Sequence, residues 1–317
     1  MPAIPGKQRQ TVSLVLGSGG ARGLAHIGVI QYLEEQGYRI ESIAGASMGA
    51  LVGGIHAAGK LSIYRDWICA LRKADVVRFL DVAFRSEGLI KGDRIMDTLR
   101  RMVGEHLIED LPVAYTAVAT DIDRRREVWL CEGPLFDAIR ASIAVPTVFT
   151  PHRYRDMTLL DGGLLNPVPI APTFRDFTDL TIAVNLNAEP LPMAAPPKPE
   201  KPAPEPSRKS KSNGGGEDSL RARILQFLDT ISDNLTSADE DDDDETIGLF
   251  ELMTSSFETM QNAIAAVKLA AYAPDVLINV PRDTCAAHEF HRARELIALG
   301  RRLAAEAMEK GDVKDEG

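Results

Sequence analysis

A serine stands between two glycines in GASMG, with Gly45, Ser47 and Gly49 in the G-x-S-x-G spacing of a nucleophile elbow. Where a strand turns tightly into a helix, side chains two residues either side of the turn would collide, so glycine serves at both places. The hydroxyl is thereby carried out of the core, and the helix N-terminus turns backbone N–H groups and its positive dipole end toward it. The chemistry open to such a serine is nucleophilic acyl transfer. The same spacing also suits a close helix-packing face, which Gly53 and Gly54 would extend.

Acyl transfer needs hydrogen-bond donors for the oxyanion. GSGGARG, from Gly17 to Gly23, offers them at another strand-to-helix turn. Successive glycines leave backbone N–H groups uncovered and form an anion-binding concavity. Gly19 and Gly20 are placed to aim N–H groups at a substrate carbonyl oxygen, and Arg22 to fix the loop or favour an anionic head group. A nucleotide site fits less well. No Gly-Lys-Ser/Thr follows, and Arg22 stands where a dinucleotide fingerprint counted from Gly17 requires its third glycine.

The serine also needs a group to take its proton. The six histidines are His26, His56, His106, His152, His288 and His291. His288 or His291 would complete a Ser…Asp…His order. Both sit in a charged stretch near the start of the last predicted helix, while His26 fits the packed face of the first. Asp161 is better placed. In LLDGGLLNPVP it ends an apolar run, precedes Gly162 and Gly163, and is followed by Asn166, Pro167 and Pro169. An acid so placed is partly buried, and burial raises its proton affinity and makes it a stronger base. The competing reading is a solvated Asp-Gly turn.

The elements that must hold these residues alternate along the first 190 positions. TVSLVLG reads as a buried strand and AHIGVIQYLEEQG as a helix ended by Gly37. IESIAG and SMGALVGGIHAAG repeat the pair, and VAYTAVATDI, REVWLCEG and LTIAVNLN read as further strands. Such alternation implies an α/β fold with a mostly parallel sheet covered on both faces.

Composition then breaks. From Glu189 the chain is dense in Pro, Lys, Ser and Gly, cannot bury enough surface to offset ordering entropy, and reads as disordered. SLRARILQFLDTISDNL follows, with Leu220, Ile224, Leu228, Ile231 and Leu235 at helical spacing, then the solvated acidic run ADEDDDDE. From Thr246 a helical pattern runs to about Tyr272, PDVLINVP reads as a last strand, and a final helix spans roughly His288 to Glu309. The expected organisation is a flexible N-terminus over 1–10 and one α/β domain over 11–190 that resumes over 246–310. An insertion occupies 191–245, and a flexible tail 311–317. Lys198, Lys201, Arg208, Lys209 and Lys211 in the insertion suit contact with anionic head groups, and its amphipathic helix suits docking on a bilayer, covering the site, or packing on the domain.

A net charge of −10 and a pI near 5.2 argue against a nucleic-acid partner. Cys69, Cys131 and Cys285 are odd in number and widely spaced, so neither a disulfide framework nor a zinc site is read from them, and a reducing, cytoplasmic compartment fits. No run of about 18 apolar residues suggests a membrane span, which leaves peripheral contact as the expected way of meeting lipid.

Taken together, these blocks resemble the patatin-like phospholipase family, in particular its small bacterial members of the neuropathy-target-esterase branch. GSGGARG with the following LAHIGVI is similar to the family's oxyanion loop, GASMG to its elbow, ASIAVPTVFTP (Ala141 to Pro151) to the segment between elbow and acid, and LLDGGLLNPVP to its Asp-Gly-Gly block. The resemblance spans about 11–190, and more loosely 246–305. It implies a three-layer α/β/α fold and a Ser–Asp dyad with Ser47 as nucleophile and Asp161 as general base. It also implies Gly19 and Gly20 as the main oxyanion donors, with Arg22 and Gly23 completing the loop. Ser18 departs from the pattern, where many members carry another glycine. The expected activity is hydrolysis of carboxylic esters of lipids, with no metal or cofactor. The alternatives are a low-activity regulatory or binding protein on the same fold, and a soluble thioesterase or peptidase using the same dyad.

Overall fold

The computed structural model describes residues 10–75, 92–146, 148–190 and 240–312. The amphipathic segment 219–235 and most of the insertion lie outside the described residues. The chain divides into two compact units, Met1–Leu191 with Phe257–Gly317, and Pro192–Ser256. In the second unit the described part, 240–256, is helical and exposes Leu252 and Met253.

The first unit is built on an eight-stranded sheet. Its strands are β1 (Thr11–Leu16), β2 (Arg39–Ala46), β3 (Ala114–Asp121), β4 (Arg126–Leu130), β5 (His152–Tyr154), β6 (Met157–Asp161), β7 (Leu180–Ala188) and β8 (Val276–Pro281). They run in the order β5-β6-β3-β2-β1-β7-β8, with β4 also paired to β3. The strands from β3 through β8 in that order are parallel. The sheet is mixed rather than wholly parallel, because β4, β5 and β6 join as antiparallel strands. The turns Asp121–Arg126 and Tyr154–Met157 are too short for anything but an antiparallel return.

Both faces of the sheet are covered, and β1 explains why. Alternate residues of a strand point to opposite faces. Val12, Leu14 and Leu16 join the larger core with Ile182, Val184 and Leu186, beneath α1 (Ala25–Glu35), α2 (Met48–Ala57) and α7 (Ala293–Asp312). Val15 points the other way and packs with Ala183, Val168, Ile170 and Ala265 of α6 (Glu240–Ala271). Every residue of β1 after the first is buried, as a near-continuous apolar run requires. Helices α3 (Leu61–Ala70), α4 (Asp93–Val103) and α5 (Leu135–Ser142) belong to the same unit and had no counterpart in the sequence reading.

Two helix boundaries differ from expectation. The helix expected from Thr246 begins at Glu240, inside the acidic run. Carboxylates in a first turn interact favourably with the helix dipole, so that run can open a helix. The last helix starts at Ala293 and ends at Asp312. Before it, Glu289 accepts the Ala286 N–H at 2.9 Å and pairs with Arg292 at 3.0 Å, holding the chain in turns.

Candidate active site

Ser47 closes β2 and caps α2 with φ 55° and ψ −122°, a left-handed conformation that a non-glycine residue adopts at a cost of about 1–3 kcal/mol. The elbow is as tight as its glycines suggest. A Cβ on Gly45 would press on the backbone of Gly49 and Ala50, and one on Gly49 would run into the Leu16 carbonyl. The strained residue is held in place: the Ser47 N–H donates to the Ser142 hydroxyl at 3.0 Å, which donates in turn to the Val118 carbonyl at 2.6 Å.

Asp161 reaches the same place from another direction. Along β3, Ala46 pairs with Val118 and Asp161 pairs with the next residue, Ala119. β4 occupies the other edge over Ala117–Asp121. A strand has only two edges, so β2 and β6 share the remaining one. Running in opposite senses, they meet end to end, which brings Ser47, one residue beyond Ala46, to Asp161. The carboxyl is fully buried rather than partly so. Its Oδ1 accepts the Gly163 N–H at 2.7 Å. Its Oδ2 is buried with no regular hydrogen-bond partner among the described residues. Burial pushes its pKa up to about 7, against the opposing pull of the Ser47 hydroxyl and the Gly163 N–H. Ser47 thus faces a carboxyl rather than a histidine.

The glycine loop lies beside the elbow. Gly23 packs against Met48 so closely that no Cβ fits between them. The loop N–H groups divide sharply. Gly17 donates to Val184 at 3.0 Å, Ser18 to Pro167 at 2.8 Å and Ala21 to Ala287 at 2.8 Å. The N–H groups of Gly19 and Gly20 have no acceptor among the described residues. They are the two that the sequence marked as oxyanion donors.

Arg22 turns inward. It is 4% exposed, and its guanidinium donates to the Gly19 carbonyl at 3.2 Å, the Arg282 carbonyl at 2.6 Å, Asn187 at 3.2 Å and Glu258 at 2.9 Å. The bond to the Gly19 carbonyl ties the side chain to its own loop. His26, wholly buried, donates Nε2–H to the Gly17 carbonyl at 2.9 Å; burial lowers its pKa to about 4, so it stays neutral. Ser18, the departure from the family pattern, accepts the Gln261 amide at 3.2 Å from α6, close against Gly163. Ser142, Asn187 and Gln261 escaped the sequence reading. Ser142 lies inside the ASIAVPTVFTP block, and Asn187 is a polar residue ending an apolar strand, both weak signals; Gln261 carried none.

Among the described residues, no group of three His, Cys, Asp or Glu is placed to hold a metal ion, and no helix is long and apolar enough to cross a membrane.

Comparison with known proteins adds to this geometry. The family described as Patatin-like phospholipase matches residues 14–174. A protein of the NTE family from Mycobacterium tuberculosis is 41% identical over 345 aligned positions, covering 99% of this chain and 95% of its own. Lysophospholipase nte1 of Emericella nidulans is 32% identical over 183 positions, 56% of this chain and 12% of its own.

Proposed function

Because this chain belongs to the patatin-like phospholipase family, and so to the lipid hydrolases in general class, we propose that it cleaves carboxylic esters of lipids through a Ser47–Asp161 dyad and an acyl-enzyme. The ionised Asp161 takes the Ser47 proton as the serine oxygen attacks the ester carbonyl carbon. The carbonyl π electrons move to oxygen, where the Gly19 and Gly20 N–H groups receive the charge. A single donor of this kind contributes about 3–4 kcal/mol at the transition state. Collapse of the tetrahedral adduct breaks the ester C–O bond, and the departing alkoxide takes the proton from Asp161. Water then attacks the acyl-serine, giving its proton to Asp161. The second collapse returns that proton to Ser47 and releases the fatty acid. No metal or cofactor enters these steps.

The observation that carries this reading is the end-to-end meeting of β2 and β6 on one edge of β3, which sets a strained serine against a buried carboxyl with a pKa near 7. A base titrating there is matched to neutral pH. Lipid as the acyl source is supported by the family and by the lysophospholipase relative. Contact with the bilayer is proposed to be peripheral.

The test is hydrolysis of p-nitrophenyl acyl esters by wild type, Ser47→Ala and Asp161→Asn, with mass spectrometry of the fluorophosphonate adduct. Expected are loss of turnover in both folded variants and an adduct on Ser47. Full turnover without Ser47, or labelling of a different serine, would overturn the assignment. Parallel assays with short esters, thioesters, phospholipid vesicles and peptides separate the lipid reading from a thioesterase or peptidase.

A further inference from the structure

Three successive carbonyls of the glycine loop are each held by a side-chain donor. Gly17 is held by His26 at 2.9 Å, Ser18 by the Asn187 amide at 3.1 Å, and Gly19 by Arg22 Nε at 3.2 Å. All described peptide bonds are trans, so a carbonyl and the N–H of the next residue point in opposite directions. Fixing the Ser18 carbonyl therefore fixes the Gly19 N–H, and fixing the Gly19 carbonyl fixes the Gly20 N–H. These are the two N–H groups with no acceptor among the described residues.

Asn187 is itself immobilised. It sits near the end of β7, 7% exposed, and its own N–H donates to the Asn185 side-chain oxygen at 3.1 Å. Its orientation is unambiguous. Arg22 donates to its Oδ1 at 3.2 Å and has no acceptor to offer, so the amide NH₂ must face the Ser18 carbonyl. Glycines on their own would leave the loop free to turn its N–H groups away, because backbone permissiveness works in both directions.

We propose that Asn187 is a positioning residue for ester hydrolysis: by holding the Ser18 carbonyl from β7 it aims the Gly19 N–H at the developing oxyanion. This rests on the catalytic reading above. It assigns a role to a residue that touches neither the substrate nor the dyad.

Asn187→Asp tests it. The carboxylate keeps the size of the side chain and the contact with Arg22, but turns an acceptor instead of a donor toward the Ser18 carbonyl. With p-nitrophenyl butyrate, kcat is expected to fall about 10- to 100-fold while KM stays within about twofold, since the lost interaction strengthens only in the transition state. Affinity for a trifluoromethyl ketone, which forms a tetrahedral alkoxide on the serine, is expected to fall by the same factor. A purely structural role would move neither ratio in a folded, active-site-titrated sample. If Asn187→Asp does not fold, Asn187→Ser, with a shorter donor, carries the same comparison. Wild-type kcat and ketone affinity in the folded variant, or a change in KM alone, would overturn the role of Asn187 while leaving the dyad standing. A wild type with no Ser47-dependent turnover would overturn the catalytic reading, and this inference with it.

Discussion

Ser142 Oγ takes the backbone N–H of Ser47 at 3.0 Å and passes its own hydrogen to the Val118 carbonyl at 2.6 Å, so the last turn of α5 braces the strained elbow against β3. All three groups are buried. A buried donor left without its acceptor costs about 1–3 kcal/mol. Ser142→Ala is accordingly expected to lower unfolding free energy by about that much in urea titration. Its kcat is expected to fall by up to about a hundredfold as Ser47, the proposed nucleophile, is displaced. Unchanged stability and turnover would mean the brace is idle.

Asp161 links activity and stability with opposite signs. Its folded pKa, about 7, lies above the ordinary 3.8, so between those values the folded chain binds the proton more tightly than the unfolded chain. Stability contributed by the protonated form is present at low pH and is lost as pH rises through 7. In the proposed dyad activity runs the other way, since only the ionised carboxyl can accept the serine proton. kcat/KM is expected to rise with pH and level off above an inflection near 7.

The same carboxyl gives a mutational test. Asp161→Asn keeps an oxygen for the Gly163 N–H and removes the buried charge. It is expected to abolish turnover yet raise the melting temperature at pH 8, with the gain shrinking toward pH 4. At about 1.4 kcal/mol per pH unit the gain amounts to a few kcal/mol. A melting temperature lowered equally at both pH values would contradict the buried-charge account.

His26 predicts acid lability in a different window. Its folded pKa is lowered from 6.5 to about 4 because its ring is wholly buried. Below pH 6.5 the unfolded chain takes up a proton that the folded chain refuses, so stability falls as pH drops from about 6.5 to 4. His26→Gln, which keeps a donor for the Gly17 carbonyl, is expected to flatten this part of the stability profile. A profile as steep as wild type would place the acid sensitivity elsewhere, for example at His56, whose pKa burial also lowers to about 4.

Gly49→Ala probes the elbow itself. Its methyl group would enter the space of the Leu16 carbonyl, backbone that cannot swing aside. Overpacking of this kind costs about 1–3 kcal/mol even where side chains yield, so the effect is expected at or above the top of that range in chemical denaturation, with turnover lost as Ser47 shifts.

The glycine-serine-glycine elbow, the glycine loop and the Asp-Gly-Gly turn were legible in the sequence because each is a local demand of backbone stereochemistry. Ser47 and the strand before it announce each other within a dozen residues, and alternation along β1 carries the core through both faces of the sheet. Nothing local says that Asp161 lies opposite Ala119, one residue past the partner of Ala46. That follows from which edges of β3 remain free once β4 has taken one, a matter of tertiary register. Burial is likewise a property of surroundings. The full enclosure of Asp161, the inward turn of Arg22 and the hold of Asn187 on the Ser18 carbonyl depend on elements far apart in the chain. The sequence by itself determined which groups are available for the proposed acyl transfer. The packing of distant strands decided which of them meet, and the loss of water around them decided their proton affinity.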